Sequence, residues 1–344
     1  MFPIIPANSV AGITPNDNGI FVYGTSPGGS NLVSNTGVVS SDIAQVGTSR
    51  NSSKATQYGG DKGIVGFGYA LVSNLISNAG VVASDTAGVG TARQQISACE
   101  YGGDKGIFGY GYTSGIVSMT NLVSNTGVVA SDVAGVGTAR YALAACGYGG
   151  DKGIFGYGDV FYGEQSITNL VSNAGVVASD TAGVGTARIY LAACEYGGDK
   201  GIFGYGLDGS PSGSLVATTN LVSNTGVVAS DQAATTGTAR KQLGACGYGG
   251  DKGIFGFGND GSDVSITNLV SNTGVVSSDQ AATTGTSRGG TGATQYGGDK
   301  GIFGYGDSAG AKSMTNLVSN TGVVASDVAG VGTARAGPAA CSFN

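Results

Sequence analysis

An arginine and two aspartates recur seven times along the chain at fixed places in a repeated pattern, and side chains of these types could bind a ligand or transfer a proton. Seven equivalent chemical sites would be one interpretation. The repetition favours a structural role, because a feature of every repeat serves the unit that repeats, and a buried charge is stable only beside its partner. We expect the second aspartate and the arginine to bond to backbone groups or to each other between adjacent strands. These predicted structural residues are Asp42, Asp85, Asp132, Asp180, Asp231, Asp279 and Asp327, with Arg50, Arg93, Arg140, Arg188, Arg240, Arg288 and Arg335.

The chain contains no histidine, which removes the commonest metal ligand and the usual proton carrier near neutral pH. A Ser–His or Cys–His nucleophile is therefore excluded. The segment Gly147–Lys152 has the glycines of a phosphate-binding loop but lacks the Gly-Lys-Ser/Thr ending and the following helix. The net charge of −6 disfavours binding to nucleic-acid phosphates. We predict no catalytic residue, no metal site, no cofactor and no nucleic-acid partner.

Five cysteines occupy one position of the repeat, and Thr56 and Thr294 fill the same position in two other repeats. Equivalent positions in different repeats are too far apart for a disulfide, and no Cys-x-x-Cys pair is present. We expect small, buried, free thiols and synthesis in a reducing cytoplasm. The cysteines are Cys99, Cys146, Cys194, Cys246 and Cys341.

The elements that would position these residues follow from a repeat of about 40–50 residues. Tyr-Gly-Gly-Asp-Lys-Gly-Ile occurs six times, and a diverged copy at 16–24 makes the seventh. In the repeat around Tyr148, the pattern predicts strands at 142–148, 153–158, 167–172 and 176–180, with glycine-rich hairpins between them. The helical period of a helical solenoid is missing. The sequence therefore predicts an all-β, seven-bladed β-propeller of four-stranded antiparallel blades.

We predict a single propeller domain over residues 1–344. The segment Ala339–Cys341 matches the start of a first strand, and the first repeat lacks such a strand. The C-terminal strand should therefore complete the first blade, which closes the ring and removes a sheet edge. The predicted blades are approximately 16–50, 51–93, 94–140, 141–188, 189–240, 241–288 and 289–335, with 336–344 closing the first blade.

The segment Arg140–Gly158 and its six counterparts resemble the kelch repeat. In both, an arginine opens a strand of small residues, which is followed by a Gly-Gly turn and an aromatic strand that ends in glycine. The resemblance implies a propeller with four-stranded blades and nothing about a ligand. The chain departs from the kelch pattern in having no tryptophan. The repeat also resembles glycine-rich propeller proteins of marine tailed phages, which would imply a virion or tail component.

Differences between repeats fall in two connections: the loop from the second to the third strand, and the link from the fourth strand to the next first strand. In a four-stranded meander both connections open on the same face. Loops on a rigid scaffold commonly carry recognition, and tyrosine is a good contact residue. Unconstrained drift of these loops is the alternative. The candidate binding-face residues are Tyr69, Tyr112, Tyr141, Phe161, Tyr162, Glu164, Tyr190, Asp208, Asp260 and Asp263.

The function predicted from these features is that of a non-enzymatic binding or virion-type structural protein. Its variable face would contact a glycan, a protein or another virion subunit. The alternative is a purely architectural propeller, including an engineered consensus repeat. An enzyme would need two unequal carboxylates near the central channel with strongly perturbed pKa values. The start of the chain has no basic segment, and no apolar run approaches the length of a membrane span, so we expect neither a signal peptide nor membrane insertion.

Overall fold

The computed structural model describes residues 17–25, 29–44, 46–161, 163–209, 213–232, 237–280 and 285–343. In these residues every regular element is a β-strand, and the strands form seven antiparallel sheets. No helix of the described residues is long and apolar enough to span a membrane. The prediction of an all-β fold is confirmed.

The strands are given in chain order. They are β1 Asn18–Val22, β2 Ser30–Val33, β3 Lys54–Tyr58, β4 Lys62–Gly66, β5 Val72–Ile76, β6 Thr86–Ala87, β7 Ser97–Tyr101, β8 Lys105–Gly109, β9 Thr120–Val123, β10 Ala144–Tyr148, β11 Lys152–Gly156, β12 Thr168–Val171, β13 Ala192–Tyr196, β14 Lys200–Asp208, β15 Ser214–Val222, β16 Gly244–Tyr248, β17 Lys252–Gly256, β18 Thr267–Val270, β19 Gly292–Tyr296, β20 Lys300–Gly304, β21 Thr315–Val318 and β22 Ala339–Phe343.

Each repeat forms one sheet in which a first strand pairs with a second strand and the second pairs with a third. In repeat 4, β10 pairs with β11 through Cys146↔Ile154, and β11 pairs with β12 through Ile154↔Leu170. The second strand is buried beyond its lysine because it lies in the middle of the sheet. The first strands of repeats 1 to 7 are β22, β3, β7, β10, β13, β16 and β19.

Within the described residues, the fourth segment of the repeat is a regular strand in one sheet only. This corrects the prediction of four regular strands in every blade. Thr86–Ala87 pairs with β5, whereas in repeat 4 isolated bridges hold the fourth segment, one of them between Val171 and Val177. A third-strand side chain also holds the fourth segment: the Asn169 amide donates to a carbonyl of that segment at 3.0 Å and to the Asp180 carboxylate at 2.9 Å. The Asn74 amide makes the same bonds in the repeat that contains Thr86–Ala87, so these bonds accompany both forms of the segment.

The cysteine position fits a glycine of the next repeat. A Cβ placed on Gly153 of β11 would lie 2.6 Å from the Cys99 sulfur of β7, which is closer than packed atoms approach. The same relation joins Gly201 and Cys146 at 2.7 Å. All five cysteines are free and buried, as predicted. Close packing against the neighbouring sheet, and not the geometry of a turn, is therefore the reason that this position is glycine.

The sheets contact one another through their first strands. Each first strand contacts the first strands of the repeats on either side, and β22 contacts both β19 and β3. β22 also pairs with β1 through Ile20↔Cys341, so one sheet contains the first and the last strand. All seven first strands line a single cavity of about 510 Å³. This arrangement is compatible with a repeat propeller.

The arginine of each repeat reaches into the next repeat. Arg140 is fully buried and stacks on the Tyr110 ring at 4.4 Å. It donates to the Tyr157 carbonyl at 2.7 Å and lies 3.8 Å from the Asp180 carboxylate, both in repeat 4. Asp180 also accepts a hydrogen bond from the Thr138 hydroxyl at 2.7 Å. The equivalent ion pairs are Arg50–Asp85, Arg93–Asp132, Arg188–Asp231, Arg288–Asp327 and Arg335–Asp42, while Asn268 and Thr238 bridge Arg240 and Asp279.

Candidate binding face

Both variable connections open on one face of the molecule. In repeat 4 the link residue Tyr141 bridges to Asp159 in the loop between the second and third strands, and the same bridge recurs in repeats 3, 5, 6 and 7. On the opposite face, the Asn173 amide donates to the Asp151 carboxylate of the Gly-Gly turn at 3.0 Å. We refer to the surface of links and loops as the variable face, and to the surface of Gly-Gly turns as the uniform face.

Three of the predicted aromatic residues meet on the variable face at the junction of repeats 3 and 4. The ring centres of Tyr112 and Tyr141 are 6.3 Å apart, and each lies 5.8 Å from the ring centre of Phe161. These separations fall in the favourable range for aromatic pairs. Phe161 remains 47% exposed. We refer to Tyr112, Tyr141 and Phe161 as the aromatic cluster.

Asp159 fixes the aromatic cluster from below. Its side chain is buried and accepts hydrogen bonds from the Tyr141 hydroxyl and the Gly163 N–H, both at 3.0 Å. A backbone bridge places Glu164, a predicted binding-face acid, opposite Asp159. The buried carboxylate therefore orients the Tyr141 ring before any ligand arrives. Asp159 was not among the predicted site residues.

The other predicted residues of the binding face lie in loops of other repeats. Tyr69 is 65% exposed on the loop of repeat 2. Asp208 is exposed at the end of β14, and Asp260 and Asp263 lie in the loop of repeat 6, where bonds within that loop hold both carboxylates. Tyr162 lies outside the described residues. The structure thus brings together one group of predicted aromatic residues and leaves these others apart from it.

A pocket of about 330 Å³ opens on the variable face where the seven links meet. We refer to it as the axial pocket. The second residue after each arginine has a positive φ of 52–58° in all seven links, including the non-glycine residues Gln95, Ala142 and Tyr190. This conformation costs about 1–2 kcal/mol for each non-glycine residue. Tyr190, a predicted binding residue, lines the pocket and accepts a backbone bond from Gln242 at 3.1 Å.

Several residues that line the axial pocket are not among the site residues predicted from the sequence. Ser53, Lys54, Gln95 and Thr291 supply polar groups, and leucines such as Leu191 supply an apolar wall. A signal for one of them was present, because Lys54 stands where the other first strands begin with Ser, Ala or Gly. A lysine at a position that otherwise holds small residues is a signal that the sequence alone contained.

The cavity lined by the first strands contains two carboxylates that break the repetition. Glu100 and Glu195 occupy a position at which the other repeats have Gln, Gly or Ser. A Cβ on Gly147 would collide with the Glu195 carboxylate. The Glu195 side chain therefore packs against Gly147, which belongs to the repeat between those of Glu100 and Glu195. Enclosure by protein raises the pKa of Glu100 to about 7, and repulsion from Glu195 adds to this shift. Enclosure also raises the pKa of Glu195.

Among the described residues, no group of three or more His, Cys, Asp or Glu side chains could hold a metal ion. A comparison with models of protein families gives no match for this chain, and a search among curated proteins finds no similar sequence. The kelch and phage resemblances stay predictions that rest on the residues of the repeat.

Proposed function

We propose that the seven sheets form a closed, seven-bladed β-propeller. Three observations support closure: the cyclic order of contacts between first strands, the pairing of β22 with β1, and the Arg335–Asp42 ion pair between the last and the first repeat. The ion pair uses the same residue types as the junctions inside the chain. A ring of this kind needs no edge strand to end the repeat series.

We propose that the protein is a non-enzymatic binding protein whose variable face recognises a glycan. The observation that carries this proposal is the aromatic cluster, in which three rings touch and Phe161 is half exposed. Aromatic rings pack well against the C–H face of a sugar, and tyrosine hydroxyls bond to sugar hydroxyls. Because Asp159 holds Tyr141 in place, little side-chain entropy is lost on binding.

We propose that the uniform face contacts another component of the same assembly, such as a virion subunit. The Gly149 N–H donates to the Asp199 carbonyl of the next turn at 2.7 Å, and the same bond joins the other described Gly-Gly turns to the turn of the following repeat. The uniform face therefore presents nearly identical units in sequence. Such a surface suits a partner that is itself built from repeated units. If the protein is purely architectural, the uniform face would be its only binding surface.

A glycan array tests the main proposal. The native protein is compared with the double variant Tyr112→Ala/Phe161→Ala, with folding checked by circular dichroism. The matched control is Tyr69→Ala, which removes an exposed aromatic residue from another loop of the same face. We expect the native protein and the control to bind the same glycans, and the double variant to lose at least tenfold in affinity, about 1.4 kcal/mol.

Equal binding by the double variant and the native protein would move recognition away from the aromatic cluster. Failure of the folded native protein to bind any glycan would contradict the glycan proposal and would favour a protein partner or an architectural role. In that case, capture of a partner by the native protein but not by the double variant would still assign recognition to the cluster.

A second candidate function is acid–base catalysis in the cavity lined by the first strands. The observation that favours it is the pair Glu100 and Glu195 in this cavity, because two carboxylates with raised pKa values are a common arrangement for proton transfer. Glu100, with a pKa of about 7, would act as the proton donor near neutral pH. A screen of chromogenic glycosides tests this function: activity in the native protein that is lost in Glu100→Gln would support it.

A further inference from the structure

We propose that the axial pocket binds an acidic sugar residue, with Lys54 pairing the carboxylate and the polar side chains of the pocket bonding the hydroxyls. The inference rests on the proposed glycan-binding function and names the class of sugar. It concerns a different place on the variable face from the aromatic cluster.

Lys54 supplies the positive charge. It is the charged residue among those that line the axial pocket, and none of the ion pairs of the described residues includes it. Partial removal from water lowers the pKa of Lys54. A carboxylate in the pocket would offset this cost, because opposite charges attract more strongly in a cleft than in bulk water.

Three residues that line the axial pocket each carry a buried polar atom that lacks a partner among the described residues. These atoms are the Ser53 hydroxyl, the Gln95 amide oxygen and the Thr291 hydroxyl. Ser53 is only 3% exposed. Buried polar groups in proteins are almost always bonded, so each of these atoms requires an explanation. The Gln95 oxygen needs a donor, and sugar hydroxyls can donate as well as accept.

The combination of groups selects the ligand class. A simple inorganic anion would satisfy Lys54 but leave the Gln95 oxygen unpaired, and a neutral sugar would do the reverse. A hexuronic or sialic acid satisfies both. The pocket volume of about 330 Å³ is near the lower end of small-molecule sites, roughly 300 Å³, which suits a single sugar residue. Leu143 and Leu191 give the ring an apolar surface to rest on.

The links leave an opening on the side of these polar residues. Backbone bonds of 2.9–3.3 Å connect the links in series from Ala142 through Tyr190, Gln242 and Gly290 to Gly337. In the part of the chain that the structure describes, no bond of this kind connects the links at 52 and 95. The series is therefore interrupted beside Ser53, Lys54 and Gln95.

The axial pocket borders the aromatic cluster. Tyr141 directly precedes Ala142, which lines the pocket, and the Gln94 N–H beside Gln95 donates to the Tyr112 carbonyl at 2.9 Å. An oligosaccharide can therefore place a terminal acidic residue in the pocket and its neighbour on the rings. The two sites would then read successive residues of one glycan.

Calorimetric titration of the native protein with sodium glucuronate and with N-acetylneuraminate tests the proposal. Glucose, which lacks the charge, and acetate, which lacks the hydroxyls, are the comparison probes. We expect at least one acidic sugar to bind at least tenfold more tightly than either comparison probe. Lys54→Gln should weaken that binding at least tenfold, and Ser53→Ala and Gln95→Ala should each weaken it severalfold. The matched control is Lys241→Gln, which removes another lysine of the links and should leave affinity unchanged.

The proposal is overturned if neither acidic sugar binds, if acetate binds as tightly as they do, or if folded Lys54→Gln keeps full affinity. The double variant Tyr112→Ala/Phe161→Ala separates this inference from the proposed function. It should keep the monosaccharide affinity while losing binding to longer glycans. If the double variant loses only the longer glycans, the aromatic cluster contributes to glycan binding as proposed. If Lys54→Gln loses the acidic monosaccharide and the double variant keeps it, the acidic residue binds in the axial pocket.

Discussion

The Arg335 guanidinium lies 3.7 Å from the Asp42 carboxylate, although the two residues lie near opposite ends of the chain. The Thr333 hydroxyl beside them donates to the same carboxylate at 2.7 Å. Arg140 and Asp180, at a junction inside the chain, lie 3.8 Å apart with a threonine in the same role. The contact between the last and first repeats therefore has the same chemistry as a contact between consecutive repeats.

Asp42→Asn should lower the free energy of unfolding by about 1–3 kcal/mol, because it leaves the buried Arg335 guanidinium without its charged partner. Denaturant unfolding followed by circular dichroism measures the effect. Asp180→Asn should cost a similar amount. Asp104→Asn, in a partly exposed turn, is the control and should leave the free energy of unfolding nearly unchanged. A cost at Asp180 without a cost at Asp42 would show that the last and first repeats are not joined.

Removal of residues 339–344 should reduce the melting temperature sharply, because β1 would lose the strand that pairs with it along Asn18–Val22. The apolar residues Ile20 and Cys341 would also lose their mutual cover. Thermal melts and light scattering of the truncated protein check this, since an unpaired strand edge also promotes aggregation. Removal of Asn344 alone is the control. An unchanged melting temperature after the longer removal would contradict ring closure.

Gly153→Ala should destabilise the protein by about 1–3 kcal/mol, because the new methyl group would overlap the Cys99 sulfur of the neighbouring sheet. Cys99→Ala should relieve part of this cost in the double variant. The remainder comes from the Glu100 carbonyl, which lies 2.9 Å from the same Cβ position. A double-mutant cycle on the unfolding free energies measures the coupling. Strictly additive costs would show that the two residues do not touch.

Glu100→Gln should stabilise the protein at pH 8 and have little effect at pH 4. The folded-state pKa of Glu100 is about 7 and its ordinary value is 4.5, so between these values the folded state keeps a proton that the unfolded state has released. Stability therefore falls as pH rises through this window, and glutamine removes the effect. The gain at pH 8 should be about 2 kcal/mol, after allowance for water in the cavity. Unfolding free energies across this pH range, with Asp260→Asn as the control, check the prediction; an equal gain at both pH values would contradict it.

The cysteines should not react with a thiol reagent while the protein is folded. All five are buried, and burial raises the pKa of Cys246 and Cys341 to about 12, so almost no thiolate forms near neutral pH. Labelling with a chromogenic disulfide should release colour only after denaturant is added, and then for every cysteine. Fast labelling of the native protein at neutral pH would show that the first strands separate readily.

The repeat made the sheet architecture predictable, but it could not locate the partner of each charged residue. Every repeat contains one such arginine and one such aspartate. The sequence therefore does not tell whether Arg140 pairs with Asp132 of its own repeat or with Asp180 of the next one. The structure places the contact across the junction. The fourth segment was predicted as a full strand because its alternating residues suit one. The structure instead holds it by isolated bridges and by bonds from the Asn169 side chain, which the sequence of the segment does not reveal.

The binding face was predictable as a set of loops and not as a site. Tyr69 and Tyr112 follow the second strand in their respective repeats, yet only Tyr112 lies in the aromatic cluster, because the cluster needs the Phe161 loop of the following repeat. The axial pocket was harder to predict. Its lining comes from links in all seven repeats, a few residues from each, and only the left-handed conformation of those links brings them together.

β1 pairs with β2 on one side and with β22 on the other. During synthesis on the ribosome, each later repeat receives its three strands in succession and can fold as it emerges. The first sheet cannot, since its strand β22 is translated after all the other strands of the described residues. The growing chain therefore exposes one edge of β1 until β22 has been made. Completion of the first sheet thus waits for β22, and a nascent chain that stalls before this strand has most of its sheets but leaves the first one unfinished.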